Sequence, residues 1–549
     1  RHFRTGIATR QAGISGTVAI ALSQTLGLGV LTGAFARWRM LPGIGMGLAL
    51  GLSGFVCLSF TAALAIIAAC AGLILHPPFL MTWPTLAVLL CGAALFVLLF
   101  FYPRLRLGGK AISLPSLMAC GSILVWTAID TCAAATALYL LIPDGSISFA
   151  LLLPAFLLAL GAALISGTPG GVGPFELVLF SLLPEAASVG AVSGVIAFRA
   201  LYYALPAIIA ALALVRPLGF VQQPARPLRA PSLTEAPRAE IGVIRQNGGS
   251  LMPLQDGAAA VWPTGQTLCA LFDPIGHCTK DLPGTLKSAA RDANLLPFIY
   301  KCSARTALAA RHEGWRILHI ADEAVIDPAR FDTDQPHRRS LRRKLRRAQK
   351  AGIRAITPAI LPLEAMTAID ADWCAKRGAA RGGTMGRFCA AYLTEQRVFI
   401  ALHNGQPVAF ASFHASRHEW CLDLMRQTSQ APDGTMHLLL HHAIVQAAQA
   451  RIPRISLAAI QACPNPDSAI WRALARQMVH RSGGPGLRQF KSAFHPRWQP
   501  LYAAAPSYAA LTLGLADIAH AIHRPDPTVT SDQAHYLDEN YELARVLAS

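Results

Sequence analysis

The sequence predicts a polytopic α-helical membrane domain followed by a cytosolic α/β domain. Apolar side chains make up 53% of the 549 residues, and the mean hydropathy of +0.41 is high for a soluble protein. Residues 1–215 hold only nine Lys/Arg and four Asp/Glu, whereas the other 334 residues hold 39 and 26. Most of the net charge of +18 therefore lies in the second half. A basic soluble part beside a membrane part indicates anionic lipid, nucleic acid or both as partners.

Apolar runs of about 20 residues mark the predicted membrane-spanning helices, because this length crosses the hydrocarbon core of a bilayer. They lie near 12–33, 44–75, 84–102, 115–142, 147–166 and 190–215. Basic clusters around Arg37 and Arg104 separate these runs and predict the cytoplasmic side. A cytoplasmic second half then requires the short segment 174–188 to cross as a broken or tilted helix. Because residue 1 is Arg, we expect the natural chain to begin earlier.

Glycines and prolines interrupt the end of the membrane part, within Gly167–Glu176. Such a break exposes backbone groups that lipid cannot satisfy, and in transporters it lines a cavity. Glu176 begins the next helix, where the helix dipole favours a carboxylate. The candidate lipid-translocation residues are Gly170, Gly171, Gly173, Glu176 and the intramembrane charges Arg199 and Asp130. An interfacial loop with a capping glutamate is the alternative interpretation.

A linker and a first α/β subdomain are predicted after the membrane part. Residues 216–255 form the linker, because they combine many prolines and arginines with little periodicity. The first subdomain covers 256–357. Its predicted elements are a strand at Phe298–Cys302, a helix at 304–313 and a strand at Trp315–Ile320.

The first subdomain ends in a basic helix at 338–350. This segment carries eight Lys/Arg and no acid, while Leu341, Leu345 and Ala348 form one apolar stripe beneath the basic face. Eight uncompensated charges repel one another, and a polyanion would relieve that repulsion. RNA or membrane phosphates are therefore the favoured partners, with a solvated charged face as the alternative.

The second subdomain, at 358–515, is predicted to follow the element order of the GCN5-related N-acetyltransferase (GNAT) fold. Its elements are strands at Arg397–His403, Val408–His414 and His418–Leu424, a helix at Gly434–Ala450 and a strand at Ile455–Ala458. An ordinary GNAT domain binds coenzyme A on a glycine-rich loop before the helix. Here the stretch 426–435 lacks the expected spacing of glycines, which disfavours a coenzyme A donor. Residues 516–549 are the predicted C-terminal tail.

Asp423 and Arg426 form a charged pair inside an otherwise apolar stretch. Burying such charges is costly, so they are expected to serve either chemistry or strong structural pairing. Residues three apart in a regular strand point to opposite faces. Both side chains can reach one site only if the strand ends or bulges near Met425. A buried structural ion pair is the alternative.

Neither cysteines nor histidines predict a metal or a cofactor. The twelve cysteines include no CxxC pair, which is typical of a reduced cytosolic domain with apolar membrane cysteines. His437 and His441 share a helix face with His442 nearby, but no third ligand with suitable spacing follows. We therefore expect ordinary helix histidines.

Several motifs resemble those of the bacterial phosphatidylglycerol lysyltransferases, also called multiple peptide resistance factors. In chain order they are Gly170–Glu176, Phe298–Lys301, Asp322–Asp327, Asp423–Arg426, Pro432–Met436, Gly486–Lys491 and Phe494–Trp498. The resemblance covers nearly the whole chain, and the C-terminal cluster is the most specific part. One departure is His437, where the family usually has Asp.

The resemblance implies a tandem pair of GNAT-like folds that moves an aminoacyl group, typically lysyl, from aminoacyl-tRNA to phosphatidylglycerol. It also implies that the membrane domain flips the product, that the protein is a homodimer, and that it lies in the bacterial inner membrane with a cytoplasmic catalytic domain. The expected catalytic residues are Asp423, Arg426 and Lys491, and the expected substrate-binding residues are Arg488, Tyr300, Lys301, Arg342, Arg343, Arg346 and Arg347. In this hypothesis Asp423 orients the acceptor hydroxyl or the aminoacyl ammonium, while Arg426 and Lys491 hold phosphate or the developing oxyanion.

Two alternatives belong to other classes of protein. One is a membrane-anchored acyltransferase that uses coenzyme A. The other is a lipid transporter whose cytosolic half only regulates it. Neither the transferred amino acid nor the flipping activity follows from the residues themselves.

Overall fold

The computed structural model describes residues 9–41, 44–107, 110–142, 147–184, 189–214, 233–276, 279–378, 380–462 and 484–525. The chain forms two compact units, with the division between Pro224 and Ala225. We call them the helical unit and the α/β unit.

The helical unit contains helices α1 Thr9–Leu26, α2 Gly29–Met40, α3 Met46–Leu75, α4 Thr82–Phe101, α5 Leu117–Leu141, α6 Phe149–Ser166, α7 Pro174–Leu182, α8 Val189–Phe198 and α9 Leu205–Leu214. A π-helical turn at Arg199–Ala204 joins α8 to α9, and strands β1 Arg104–Leu107 and β2 Lys110–Ser113 form a hairpin. Within the described ranges, α3, α4, α5, α6 and the segment Ala191–Leu214 are long and apolar enough to cross a membrane. These five helices confirm a polytopic membrane protein.

The predicted span at 12–33 is wrong. The backbone breaks between α1 and α2, where Gly27 and Leu28 both adopt positive φ angles of 76° and 47°. A Cβ on Gly27 would lie 2.9 Å from the nitrogen of Pro169, so this break is the place where the glycine-rich segment approaches α1. The short segment near 174–188 contains α7, which ends at Leu182.

The α/β unit contains strands β3 Ser250–Leu254, β4 Gly257–Pro263, β5 Thr267–Gly276, β6 Leu296–Cys302, β7 Arg316–Ile326, β8 Ile353–Ile356, β9 Arg397–His403, β10 Gln406–Ala415, β11 Trp420–Gln427, β12 Ile455–Gln461 and β13 Arg497–Ala505. Its helices are α10 Ile244–Asn247, α11 Leu282–Asp292, α12 Ala304–His312, α13 Arg339–Lys350, α14 Leu363–Arg377, α15 Ala390–Thr394, α16 Thr435–Gln449, α17 Gly484–Ser492 and α18 Tyr508–His523. The eleven strands form one sheet in the order β3-β4-β5-β6-β13-β7-β12-β11-β10-β9-β8.

The sheet consists of two GNAT-like halves, which confirms the predicted fold class. Each half has antiparallel strands that lead into one parallel pair, β5 with β6 and β11 with β12. The last strand, β13, enters the first half between β6 and β7 and pairs with both in antiparallel fashion. The halves therefore share a sheet and exchange a strand.

Two stretches of the α/β unit differ from the predicted boundaries. Residues 239–254, assigned to the linker, form a buried 3-10 turn at Ala239–Val243, helix α10 and strand β3. Helix α18 runs across the expected boundary at 515 to His523. Both stretches contribute apolar side chains to one cluster with Trp262 and Phe298.

Helices cover both faces of the sheet. Helices α11 and α12 pack on one half of the front face, and α13 and α16 pack on the other half. Helices α14 and α18 cover the back face. The basic helix α13 is seated as predicted, with Leu341, Leu345 and Ala348 buried and its remaining side toward solvent.

Candidate active site

Strands β11 and β12 diverge at the centre of the sheet. They pair only at Trp420 with Ile455 and Cys421 with Ser456. Beyond this point the pairing of β12 with β7 shifts register between Ser456 and Ala459, and Ala458 takes a positive φ of 63°. The backbone carbonyls of this irregular stretch become available to a side chain.

Lys491 from α17 binds these carbonyls. Its Nζ donates to the oxygens of Ala458 at 3.0 Å and Ala459 at 3.4 Å, and the residue is 2% exposed. Burial lowers the pKa of Lys491 to about 8. An amine that titrates close to neutral pH can both accept and return a proton.

A buried network of acids and bases lies in this same region. Arg238 Nη2 is 3.0 Å from Glu240 Oε2 and 2.8 Å from Glu323 Oε1, and Lys301 Nζ is 2.6 Å from Glu240 Oε1. Burial opposes the charge on Arg238, but Glu323 and Glu240 outweigh it and raise the pKa of Arg238. Burial likewise disfavours ionised Glu240, yet Lys301 and Arg238 lower the pKa of its carboxyl.

The second half of the sheet supplies the other members of the network. Arg454 Nη2 pairs with Glu323, and Arg454 Nε lies 2.9 Å from Glu419 Oε1. Ser456 Oγ donates to Glu323 Oε1 at 2.7 Å, and Ala239 N donates to Glu419 at 2.8 Å. Burial and the neighbouring Glu323 raise the pKa of Glu419 to about 8. The network therefore ties both halves together beneath Lys491.

Two of these carboxylates lie close to a thiol. Ligand atoms of Glu240, Glu323 and Cys421 lie within 4.8 Å of one another. Arg238, Lys301 and Arg454 form ion pairs with the two carboxylates and offset their charge.

A bulge in β11 orients Asp423 and Arg426. Ala411 of β10 pairs with Met425 and Phe413 pairs with Leu422, so β11 carries one extra residue at this point. The extra residue turns both charged side chains to the back face, toward the segments around α14 and α15. The local break that a shared face requires is therefore present.

Asp423 and Arg426 nevertheless bind different partners. Asp423 accepts hydrogen bonds from Gly386 N at 3.0 Å and from Tyr392 OH and Gln396 Nε2, both at 2.9 Å. Arg426 contacts two residues of α14. Its Nε donates to Asp370 Oδ1 at 2.7 Å, and its guanidinium lies 3.8 Å from the centre of the Trp373 ring.

We predict that Asp423→Asn loosens the loop 382–387. The Asp423 side chain is 6% exposed and its oxygens already accept three hydrogen bonds, so its geometry is that of an anchor. Hydrogen exchange of the Gly386 amide should accelerate by about tenfold, since one charge-assisted hydrogen bond is weakened. An unchanged exchange rate at Gly386 would contradict the anchoring role. Asp433→Asn, at an exposed acid, is the control.

The other predicted substrate-binding residues divide into three places. Tyr300 and Lys301 lie at the network, where Tyr300 stacks beside Phe298 at 6.3 Å. Arg488 is 48% exposed and lies 3.3 Å from Asp322. On α13, Arg342 donates to the backbone before the helix and Arg347 lies 2.9 Å from Asp433, whereas Arg343 and Arg346 face solvent.

Most of the predicted translocation residues meet in the helical unit. Arg199 Nε pairs with Glu176, and Arg199 Nη1 donates to the carbonyl of Gly170. Glu176 also accepts from Gly173 N at 2.8 Å, as a capping residue of α7 does. Arg199 Nη2 reaches the carbonyl of Gly171 at 3.4 Å. Asp130 hydrogen-bonds Tyr202, whose neighbour Tyr203 lies against the Arg199 guanidinium.

Most of the network was not predicted from the sequence. Arg238, Glu240, Glu419 and Arg454 were not singled out, and Glu323 appeared only within a motif. A lone charged residue beside an apolar run, such as Glu419 before Trp420, is the signal that points to one member. The pairing itself has no local signal, because the partners lie in different halves.

The α/β unit matches a known family and several relatives. The model of the C-terminal part of phosphatidylglycerol lysyltransferases matches residues 230–505. The "lysylphosphatidylglycerol biosynthesis bifunctional protein LysX" of Mycolicibacterium vanbaalenii is 29% identical over 214 residues, which cover 37% of this chain and 19% of that protein. An uncharacterized Synechocystis protein is 29% identical over 206 residues, which cover 35% of this chain and 64% of the relative. The chain thus spans about a fifth of the length of the LysX relative.

Two solved structures are also similar. The C-terminal domain of a lysylphosphatidylglycerol synthetase from Agrobacterium fabrum is 23% identical, covers 54% of this chain and 96% of its own, and has a TM-score of 0.49. The L-PGS of Bacillus licheniformis is 20% identical, with coverages of 52% and 97% and a TM-score of 0.44. The matched range 230–505 takes in half of the chain, including Lys491 and the whole buried network. The chain therefore belongs to the family of the phosphatidylglycerol lysyltransferases, whose C-terminal part its α/β unit represents.

Proposed function

We propose that this protein transfers an aminoacyl group, lysyl in the simplest case, from aminoacyl-tRNA to the glycerol hydroxyl of phosphatidylglycerol. The family match over 230–505 carries the proposal, because that range contains Lys491 and the network around it. The name of the LysX relatives supports lysyl as the transferred group. The five apolar helices support a reaction at a membrane, where the lipid acceptor would be available.

The reaction exchanges one ester for another. The glycerol oxygen attacks the carboxyl carbon of the aminoacyl group, the new ester bond forms, and the ribose oxygen of the tRNA leaves. The glycerol proton must be removed, and a proton must reach the ribose oxygen. Because the donor ester is already activated, neither a covalent enzyme intermediate nor a cofactor is required.

Lys491 is the proposed carrier of that proton. In its neutral form the amine accepts the glycerol proton, and the resulting ammonium stabilises the tetrahedral oxyanion before it protonates the ribose oxygen. Burial, with Lys301 as a nearby cation, keeps the pKa of Lys491 at about 8, so both forms are populated near neutral pH. This role adds proton transfer to the sequence hypothesis, in which Lys491 holds phosphate or the developing oxyanion.

Arg426 is the proposed ligand of the lipid phosphate. Asp370 and the Trp373 ring hold its guanidinium in one orientation, and a planar guanidinium held in this way can bind a phosphate with defined geometry. Asp423 is proposed to hold the loop 382–387 beside it through the Gly386 amide. The exposed cations of α13, such as Arg343 and Arg346, are proposed to bind phosphates of tRNA or of the anionic membrane.

The arrangement of α13 and α16 argues against the coenzyme A alternative. A pyrophosphate would bind at the N-terminus of α16. That end is covered, since a Cβ on Gly434 would lie 2.5 Å from the carbonyl oxygen of Lys344 in α13. The exposed Asp433 beside it would repel an anion and is paired with Arg347.

Lipid analysis of a strain that expresses the full chain tests the proposed transfer. Mass spectrometry of the extracted lipids should reveal aminoacyl-phosphatidylglycerol, and the mass increment identifies the amino acid. Absence of any such lipid, with the protein present in the membrane fraction, would refute the proposed transfer. Acetyl-coenzyme A dependence would favour the competing acyltransferase.

For the helical unit we propose that Glu176 and Arg199 bind the headgroup of the product while it is flipped. Their ion pair lies against the glycine carbonyls of the broken segment. Such polar groups at membrane depth support a translocation path. The same proposal places the protein in the bacterial inner membrane with a cytoplasmic α/β unit, and homodimerisation stays an expectation from the resemblance.

We predict that Glu176→Gln separates synthesis from flipping. Loss of the carboxylate leaves Arg199 without its ion pair, so the fraction of aminoacyl lipid in the outer leaflet should fall at least several-fold while total aminoacyl lipid stays constant. An amine-reactive reagent that does not cross the membrane measures the outer fraction. Thr136→Ala, on an exposed side of α5, is the control. Unchanged labelling in Glu176→Gln would remove this pair from the translocation path.

A further inference from the structure

Two planar side chains are exposed on the front face of the sheet, and an aromatic ring supports each of them. The Arg488 guanidinium lies 4.9 Å from the centre of the Trp498 ring, and its side chain is 48% exposed. The His319 ring lies 5.7 Å from the Tyr502 ring, and its side chain is 41% exposed. We call these four residues the planar row.

Asp322 connects the two parts of the planar row. Its Oδ1 lies 2.9 Å from His319 Nε2, and its Oδ2 lies 3.3 Å from Arg488 Nη1. One carboxylate therefore orients both planes and offsets the charge of Arg488. An isolated surface ion pair is a weaker constraint, because it leaves a long side chain free to sample many orientations. The row therefore presents two exposed planes, a guanidinium and an imidazole, and Asp322 restricts the orientation of both.

The planar row lies beside the proposed proton carrier and on the same face as the basic helix. Arg488 and Lys491 are three residues apart on α17, which makes them neighbours along the helix. Trp498 packs against the cluster that contains Leu341 and Leu345, the buried side of α13. The exposed cations of α13 and the planar row therefore occupy the front face together.

We propose that the planar row binds the unpaired 3′-terminal nucleotides of the donor RNA by stacking their bases on the Arg488 and His319 planes. This inference rests on the proposed function and names the part of the donor that the row recognises. Unpaired bases stack on aromatic rings and on guanidinium planes, which contributes about 1–3 kcal/mol per base. A lipid headgroup has no aromatic face, so the two exposed planes of the row favour RNA over lipid.

The same arrangement explains how the ester would reach the amine. Cations on α13 bind the phosphates of the RNA body without regard to sequence. Stacking at the planar row then fixes only the single-stranded end, which carries the aminoacyl ester. Because Arg488 neighbours Lys491, a stacked end is held next to the group that moves the proton.

Arg488→Lys and His319→Gln test the proposal in the full chain. The first keeps the charge and the second keeps a hydrogen-bonding side chain, but both remove an exposed plane. The probes are two RNA acceptor-stem hairpins, one with an unpaired 3′ end and one with a blunt end, used as competitors of charged tRNA in the transfer assay. The wild type should prefer the unpaired end by about tenfold, and each variant should lose most of that preference. Arg311→Lys, at an exposed arginine in the last turn of α12, should retain it.

The outcomes distinguish this inference from the proposed function. If the wild type forms aminoacyl lipid and both variants still prefer the unpaired end, the planar row does not bind it. If the wild type forms no aminoacyl lipid from charged tRNA, the proposed function itself fails. Direct binding of the two hairpins, measured without any transfer, reports the preference even in a variant with a low turnover.

Discussion

Replacing Lys491 by Arg should lower the rate of aminoacyl transfer by about 10²–10⁴-fold, the contribution of a positioned acid–base group. The guanidinium keeps the positive charge but does not give up a proton near neutral pH. If Lys491 only holds phosphate, Lys491→Arg should keep its transfer activity. If Lys491 carries the proton, the variant should lose that activity. Single-turnover transfer from charged tRNA to lipid vesicles measures the effect.

The pH dependence provides a second measurement of the same role. Burial lowers the pKa of Lys491 from its usual 10.5 to about 8, and the neutral amine is the form that accepts the glycerol proton. The rate should therefore rise with pH below about 8 and level off above it, after subtraction of spontaneous ester hydrolysis. Lys491→Arg should show no inflection near 8. A wild-type rate that falls through this range would instead indicate that the ammonium form is the active one.

The free energy of unfolding of Lys491→Met tests the lowered pKa of Lys491 independently of activity. Below pH 8 the folded state holds a buried ammonium at a cost of about 3 kcal/mol, since the unfolded chain binds the proton more tightly. This cost declines as the pH rises from 8 to 10.5. Lys491→Met should therefore be inactive yet more stable at pH 7, with a difference that vanishes near pH 10.5. Lys376→Met, at an exposed lysine, should change neither property.

Replacing Glu323 by Ala should produce the largest loss of stability in the α/β unit, about 3–5 kcal/mol. The Glu323 side chain is fully buried and is bound by Arg238 at 2.8 Å, by Ser456 at 2.7 Å and by Arg454. Its removal leaves the buried Arg238 and the partly exposed Arg454 without their shared counter-charge. The midpoint of thermal unfolding of the full chain in detergent should fall by roughly 5–15 °C.

Two control variants distinguish the loss of the buried carboxylate from a general effect of substitutions in or next to β7. Asp327→Ala lies at the exposed end of the same segment and should change the free energy of unfolding by less than about 1 kcal/mol. Glu323→Gln keeps the shape and part of the hydrogen bonding, so its loss should be smaller than that of Glu323→Ala. Equal stability of Glu323→Ala and the wild type would show that the network contributes nothing net.

Local patterns predicted the elements well. The apolar runs that became α3 to α6 are visible because each is long and uninterrupted. The stripe of Leu341, Leu345 and Ala348 located the buried side of α13, and the Asn404–Gly405 turn located the hairpin of β9 and β10. By contrast, Gly27 and Gly29 flank a single leucine inside the first apolar run, and this weak signal did not predict the break.

Relations between distant segments were not predictable in this way. Arg238 and Glu323 are 85 residues apart, Arg454 and Glu323 are 131 apart, and the bond from Ala239 to Glu419 spans 180 residues. The bulge at Asp423 also could not be predicted from the alternation of side chains along a strand, because the extra residue interrupts that alternation. Periodicity indicates which side of an element is buried but not which element covers it.

The late strand β13 has a consequence for how the protein is made. Strand β6 ends at Cys302, 200 residues before Tyr502, and β7 ends at Ile326, so the edges that β13 pairs with stay unpaired while the rest of the chain is synthesised. The first half cannot then act as an independent domain that folds as it leaves the ribosome. A chain truncated before β13 exposes two complementary edges to other copies, and translational pausing or early termination in this gene would yield aggregation instead of a smaller working enzyme.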